Sequence, residues 1–440
     1  MEARFLELAA MLDRSLQPGE IYTACFSAED TDFIRFNNGK VRQPGSVSQS
    51  HVSLDLIRGK RHATCDLTLS GDAKVDHPEI QAALSDLRAL IADAPEDPYL
   101  LFATDVRSSV SRRPGRLPSR DQAIGAIVDS AHGLDLVGIY AAGRICRGFA
   151  NSFGQRNWHE VENFNFDCSY HHHQDKAVKA SYAGFEWSDA ALAARMDMAR
   201  DHFGRLQSAP RTLDPGRYSA YFAPAAMSEL LDMMCWGGFS EKQKRVKQSP
   251  LQRLYEGRVG LSPLVTMTEN SAGGVAPAFQ GEGYLKPDRL ALIAAGQPVS
   301  TMISPRTAQE YQLRENGADG DESPESVEMA GGALADADVL SALGTGIYVS
   351  NLWYCNFSDR MNCRVTGMTR FASFWVERGN IVAPLNVMRF DDSLFRMLGR
   401  NLEALTDTPE LLLDNHSYDR RSTSSARLPG ALVRDFSLTL

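Results

Sequence analysis

The sequence predicts an α+β fold in which antiparallel strands dominate and helices stand in separate blocks. Three observations carry the prediction. Long stretches alternate polar and apolar residues, the period-2 signal of strands with one solvated face. Turn signals such as Asn37-Asn38-Gly39 and Arg58-Gly59 interrupt them at hairpin spacing. Helical spacing of apolar residues appears in only a few short segments.

The first element is an amphipathic helix, because Phe5, Leu8, Leu12 and Leu16 recur at helical spacing. Its charges are spread throughout, without the basic start and apolar centre of a signal peptide. Residues 18–70 follow as a small sheet region broken at the two turns. Pro78 is placed to open a helix with Ile80, Leu84, Leu87 and Ile91 on one face. A proline- and arginine-rich linker, Ser108–Pro118, leads to a helix that Gly133 stops. Leu134–Trp187 alternates almost throughout and reads as a second strand region. Ser188 caps the next helix, which ends at Gly204. Pro210–Gly216 is the boundary before a strand-rich portion with a helix near Ala225–Trp236. Arg314–Met329 is acidic and poor in large apolar residues, the composition of an exposed loop. Leu343–Asn386 sets β-branched and aromatic residues between Gly344, Gly346, Gly367 and Gly379, and reads as a β-meander with glycine turns. The expected organisation is an N-terminal α+β domain at 1–107, a middle β-rich segment with flanking helices at 119–209, and a C-terminal domain at 217–440.

Composition narrows the function. Hydrophobic residues make up 43% of the 440, enough for ordinary cores. No apolar run approaches the roughly 20 residues of a membrane span. The net charge is −9, and the basic run Lys242–Lys247 is short and loop-like, so neither a membrane nor a nucleic acid is expected as partner. The cysteine count is 7, with no CxxC pair, which points to free thiols in a reducing cytoplasm.

Four segments, in order, resemble the TldD/PmbA family, which is linked to peptide maturation and zinc-dependent proteolysis. They are FIRFNNGKVRQ with VSLDLIRGKRHATCDLT, then GRICRGFANSFGQRNWHEVENFNF centred on Asn151-Ser152-Phe153-Gly154, then AFQGEGYLKPDRLALIAAGQPVSTMISPRTAQEYQLRENG, and finally "GIYV", "VTG" and "FWVERGNIVAPLN" within the meander. The resemblance implies an N-terminal α+β region and a β-barrel-like C-terminal domain rich in antiparallel strands. It also implies a mechanism for catalytic members. They carry HExxxH on a helix early in the last domain and a cysteine near the C-terminus. Two imidazoles and a thiolate then hold zinc, and the glutamate activates a zinc-bound water.

This chain departs from that pattern. The corresponding helix reads APAAMSELLDMMCWGGFS, with Asp232-Met233 where catalytic members place His-Glu. Cys235 and Trp236 follow, and no cysteine comes after Cys363. The resemblance is therefore to the zinc-free TldE/PmbA type. No catalytic or metal-binding residue is expected here, and Asp232, Met233, Cys235 and Trp236 mark a pseudo-site. Zinc is expected in a TldD-like partner subunit. The exposed-sheet segments with Phe279, Gln280, Glu282 and Tyr284, and with Trp353, Tyr354 and Phe357, are candidate linings for a peptide.

Other chemistry-bearing residues invite structural readings. Of His171-His172-His173, only the outer two share a strand face, and Cys168 lies on the other. His159-Glu160 lacks the second histidine of a zincin, since Asn163 stands there. Cys355 and Cys363 have no histidine nearby in sequence to act as base. Asn415-His416-Ser417 with Asp419 reads as a loop, and Gly317–Ser323 lacks the spacing of a calcium loop. Two alternatives remain open. One is a stand-alone hydrolase with a non-family metal site built from Asp232, Cys235 and His416. The other is a homodimeric peptide-binding scaffold.

Overall fold

The computed structural model describes residues 1–172 and 176–439. Its α+β class is the one the sequence predicts. Helix α1 (Glu2–Ser15) precedes three strands, β1 (Glu20–Asn37), β2 (Lys40–Arg58) and β3 (Arg61–Leu69), and helix α2 (Ala73–Asp93). Then come β4 (Ser109–Arg113), α3 (Arg120–Ser130), β5 (Leu136–Asn151), β6 (Arg156–His171), β7 (Ala177–Gly184) and α4 (Asp189–Leu206). The β1–β2 turn is Asn38-Gly39, both at positive φ (53° and 66°), which is the twist-matched geometry of a two-residue hairpin.

These strands form one sheet in the order β3-β2-β1-β5-β6-β4, with β7 also on β6. The two strand regions that read separately are therefore joined, by antiparallel pairing from Thr23↔Asn151 to Phe36↔Gly138. Helices α1 and α2 bury Phe5, Leu8, Leu12, Ile80, Leu84, Leu87 and Ile91 with Phe26, Leu54 and Trp158 of the sheet. Helices α3 and α4 cover Tyr140, Phe164 and Phe166, and Phe374 from the C-terminal half joins that cluster. The two halves thus share core.

Two helix ends differ from expectation. Helix α2 begins before Pro78, at an Asp72 cap that accepts from the Lys74 N–H (2.9 Å). Asp76 holds the added turn by accepting from the Ser70 and Gly71 N–H groups (2.8 and 3.0 Å), which leaves Pro78 inside the helix. Helix α4 passes Gly204, because the buried stripe Met196, Ala199, His202 and Leu206 continues beyond it.

The C-terminal half opens with β8 (Gly216–Phe222), α5 (Pro224–Gly238) and α6 (Glu241–Arg245). A six-stranded sheet has the order β11-β10-β9-β12-β21-β20. Its strands are β9 (Met267–Glu269), β10 (Leu290–Ala294), β11 (Gln297–Pro298), β12 (Ser326–Met329), β20 (Glu410–Leu413) and β21 (Ser425–Leu428). A nine-stranded sheet has the order β14-β15-β18-β22-β8-β13-β16-β17, with β19 also on β22. It comprises β8 with β13 (Gly346–Val349), β14 (Trp353–Asp359), β15 (Arg364–Met368), β16 (Ser373–Glu377), β17 (Asn380–Pro384), β18 (Arg389–Ser393), β19 (Leu402–Leu405) and β22 (Ala431–Leu438). Both sheets are open, so no closed barrel forms. Residues of α5 and of both sheets share one core.

Three local expectations are corrected here. Leu343–Asn386 is not a simple meander. Strands β13 and β14 are consecutive in sequence, but β15, β18, β22 and β8 lie between them. Gly344 and Gly379 are turns at positive φ, whereas Gly346 and Gly367 lie inside strands. A Cβ on Gly367 would stand 2.7 Å from the Phe390 ring, so close packing is what requires glycine there. The segment 314–329 is not an exposed loop. It ends in β12, paired with β9 and β21 inside its sheet. Glu322 is fully buried, and its carboxylate accepts from Ser240 Oγ (2.6 Å), the Lys242 N–H (2.8 Å), the Ser304 N–H (2.9 Å) and Ser304 Oγ (2.9 Å). The basic run after Ser240 is not a loop either. It forms α6, capped by Ser240 and anchored through buried Glu241 to Thr301 (2.7 Å). Among the described residues, no helix is long and apolar enough to cross a membrane.

Candidate functional site

Helix α5 starts at Pro224, whose fixed φ and missing N–H suit a first helical position. Ala226, Met227, Leu230, Leu231, Met233 and Met234 are buried on it, while Ser228, Glu229 and Asp232 are left on the more open side. The helix breaks at Trp236 (ψ 83°) and Gly237 (φ 73°). This break turns the Trp236 ring outward, 61% exposed. Arg360 closes the kink by donating to the Trp236 carbonyl (2.7 Å) and the Gln248 carbonyl (3.1 Å). Its guanidinium lies over both Trp236 (5.5 Å) and Phe357 (5.0 Å), a cation–π arrangement.

Asp232 is exposed on α5. Partial removal from bulk water, and then the charges of Glu229 and Asp414, push its carboxyl up to about 6. Burial also raises Glu229, with Lys179 opposing. The Cys235 thiol is pushed well above its usual range, first by burial and then by Asp232. Burial, with Glu229 and Asp232 behind it, lifts Cys355 to about 12. Both sulfurs are therefore held as thiols at neutral pH and are poor nucleophiles. Met233 is buried in the core. The C-terminal loop does return towards α5, through Asp414. His416, however, packs tilted against Tyr418 (5.2 Å between ring centres). Among the described residues, no group of three or more His, Cys, Asp and Glu side chains is arranged to hold a metal. The donor set does not fit the zinc of catalytic family members.

A cleft of about 260 Å³ opens beside the start of α5, walled by β7, α4, β20 and β13. It is rich in charge. Arg195 pairs with Glu410. Lys179 lies over the Phe371 ring at 4.5 Å. Burial raises Asp167, with Lys179 and a hydrogen bond from Asn415 opposing. His202 packs on Tyr348 and Phe374, and burial pulls it down to about 4, so it is neutral.

The residues singled out in the sequence fall into separate places. Asp232, Cys235 and Trp236 lie with Cys355 and Phe357 where α5 meets β14. Trp353 and Tyr354 are exposed on β14, an end strand of its sheet, and Tyr354 is 74% exposed at φ 56°. The other proposed lining is mostly interior. Phe279 and Gln280 are buried, Tyr284 is half-buried and Glu282 is exposed. Their turn is fixed to the N-terminal sheet region. Gly281 O accepts from Cys25 Sγ (3.2 Å), Glu282 O from the Ala103 N–H (2.8 Å) and Gly283 O from Gln155 Nε2 (2.7 Å). His159 is buried with Nε2 beside the Val275 carbonyl (3.1 Å), and burial lowers it to about 4. His171 is exposed at the end of β6, Cys168 is buried, and His173 lies outside the described residues. Sequence reasoning missed Glu229, Lys179, Asp414 and Arg360. Only Glu229 had a readable signal, its i,i+3 spacing to Asp232 on one helix face.

The profile of the PmbA/TldA metallopeptidase C-terminal domain matches residues 215–440. Comparison with the curated proteins gives no match. Three solved structures share the fold across almost the whole of both chains. A protein of Bacteroides thetaiotaomicron, described as a proposed modulator of DNA gyrase, has a TM-score of 0.77 at 15% identity, covering 99% of each chain. TldE from Thermococcus kodakarensis has a TM-score of 0.76 at 12% identity, covering 99% of this chain and 100% of its own. A proposed DNA gyrase modulator of Thermotoga maritima has a TM-score of 0.73 at 13% identity, covering 100% of each.

Proposed function

The chain belongs to the PmbA/TldD metallopeptidase family, and from that premise we propose that it is a zinc-free, TldE-like subunit supporting a TldD-like peptidase. One observation carries this reading. Helix α5, which holds the metal in catalytic members by the resemblance above, here offers Asp232 and buried Met233, followed by a protonated Cys235 thiol. Among the described residues, no group of three His, Cys, Asp and Glu side chains is arranged to hold a zinc-bound water. The likeness to TldE supports the same reading at the level of fold.

In this role the chain would supply chamber wall and peptide positioning. The end strand β14 offers unpaired backbone groups to an extended peptide, and main-chain pairing selects conformation over sequence. Trp353, Tyr354, Phe357 and Trp236 would add apolar contact along it. Seven free cysteines, Cys25 to Cys363, accord with a reducing cytoplasm.

Co-expression with a TldD-like subunit tests the proposal. The two chains should co-purify, and peptide hydrolysis should need both. Separate elution, equal proteolysis without this chain, or stoichiometric zinc in the purified chain would overturn it.

A further inference from the structure

The cleft beside α5 contains a hydroxyl with nothing to bond. Ser350 lines it, is 7% exposed, and its Oγ is buried without a partner. Buried hydroxyls normally find one. Glu229 lines the same cleft, and among the described residues no donor or cation reaches its carboxylate within hydrogen-bond or ion-pair distance. The cations nearby are otherwise engaged. Arg195 is paired with Glu410, and Lys179 rests over the Phe371 ring, from where its charge still acts on Glu229 and on Asp167 without pairing with Glu229. Just outside the lining, Asp232 lies close enough to Glu229 and Asp414 for both charges to act on it.

We infer that this cleft takes the α-ammonium end of an extended peptide, with Glu229 as counter-charge and Ser350 Oγ as a hydrogen-bond acceptor. The inference rests on the peptide-positioning role proposed above. A primary ammonium carries three donors and suits a carboxylate and a hydroxyl together. The volume, about 260 Å³, lies below the roughly 300–1,000 Å³ of a drug-sized pocket and suits a chain end. Ser228, Asn351 and Asn415 also line it, offering hydroxyl and amide groups to the first peptide units. A polyamine has no such units to match them. No covalent step is involved.

The test compares three peptides on the purified full-length chain by fluorescence anisotropy. The first is extended, lysine-free and has a free amino terminus. The second is the same peptide N-acetylated. The third is acetylated but carries one lysine. Acetylation should weaken binding about tenfold or more, the scale of one lost charged contact. Glu229→Gln and Ser350→Ala should each weaken the free peptide and leave the acetylated one unchanged, with circular dichroism confirming that both variants fold. Equal binding of free and acetylated peptides overturns the inference and leaves the peptide-positioning role standing. Recovery of binding by the lysine peptide assigns the cleft to a side chain and also overturns it. Failure of all three to bind removes the inference together with the role on which it rests.

Discussion

The guanidinium of Arg360 occupies the space that a side chain at Gly237 would need. A Cβ on Gly237 would stand 2.7 Å from Arg360 Nη2, and the residue sits at φ 73°. The kink that exposes Trp236 therefore depends on a glycine and an arginine brought together from distant parts of the chain.

Gly237→Ala should destabilise the fold by about 1–3 kcal/mol, from left-handed strain and displacement of Arg360. Denaturant unfolding measures it. Pairing it with Arg360→Ala should recover the part due to collision and leave the backbone part, so the two changes should not add. Additive losses would show that the contact is unimportant.

Asp232 should titrate near pH 6, readable as the carboxyl ¹³C shift. Its folded pKa is raised above the ordinary value of 3.8, so the folded state binds more protons between the two. Stability should therefore fall as pH rises from about 4 to 6. Asp232→Asn should be the more stable form at pH 7.5, and the difference should vanish near pH 4. Because the carboxylate is open to water, the gain should be only about 1 kcal/mol or less. Thermal melts at the two pH values check the sign. Glu229→Gln should lower the Asp232 midpoint.

The thiols should be slow to react. Burial holds Cys25, Cys146, Cys355 and Cys363 at about 12, and Cys235 is also raised. At pH 7.5 the native chain should react slowly with Ellman's reagent, while the denatured chain should release all 7 thiols quickly. A fast-reacting Cys235 or Cys355 would reopen a cysteine-based chemistry at the pseudo-site.

What the sequence reveals depends on how local each feature is. Ile80, Leu84, Leu87 and Ile91 are all buried, as their spacing predicts, because a helix face is set by neighbours within a few residues. The Asn38-Gly39 hairpin is legible for the same reason. The pairing of β1 with β5 is not, since strands more than a hundred residues apart leave no periodic trace of their partner. Glu322 reads as solvated because composition cannot show that Ser240 and Ser304 will surround it with donors. At the site, Asp232, Cys235 and Trp236 are found by their place in a recognisable helix. Lys179 and Asp414 reach it from β7 and from the loop after β20, and only folding brings them there.

The order of strands in the nine-stranded sheet also bears on how the chain is made. Strand β8 pairs with β22, from Ala431↔Phe222 to Leu438↔Gly216, so these two central strands bracket nearly the whole C-terminal half. A ribosome delivers β8 long before β22. Until then β8 has an unsatisfied edge beside buried apolar residues, the kind of exposed intermediate that invites aggregation. Completion of this half is thus a late, long-range closure, and substitutions in β22 should affect yield of soluble protein during synthesis more than shorter-range contacts do.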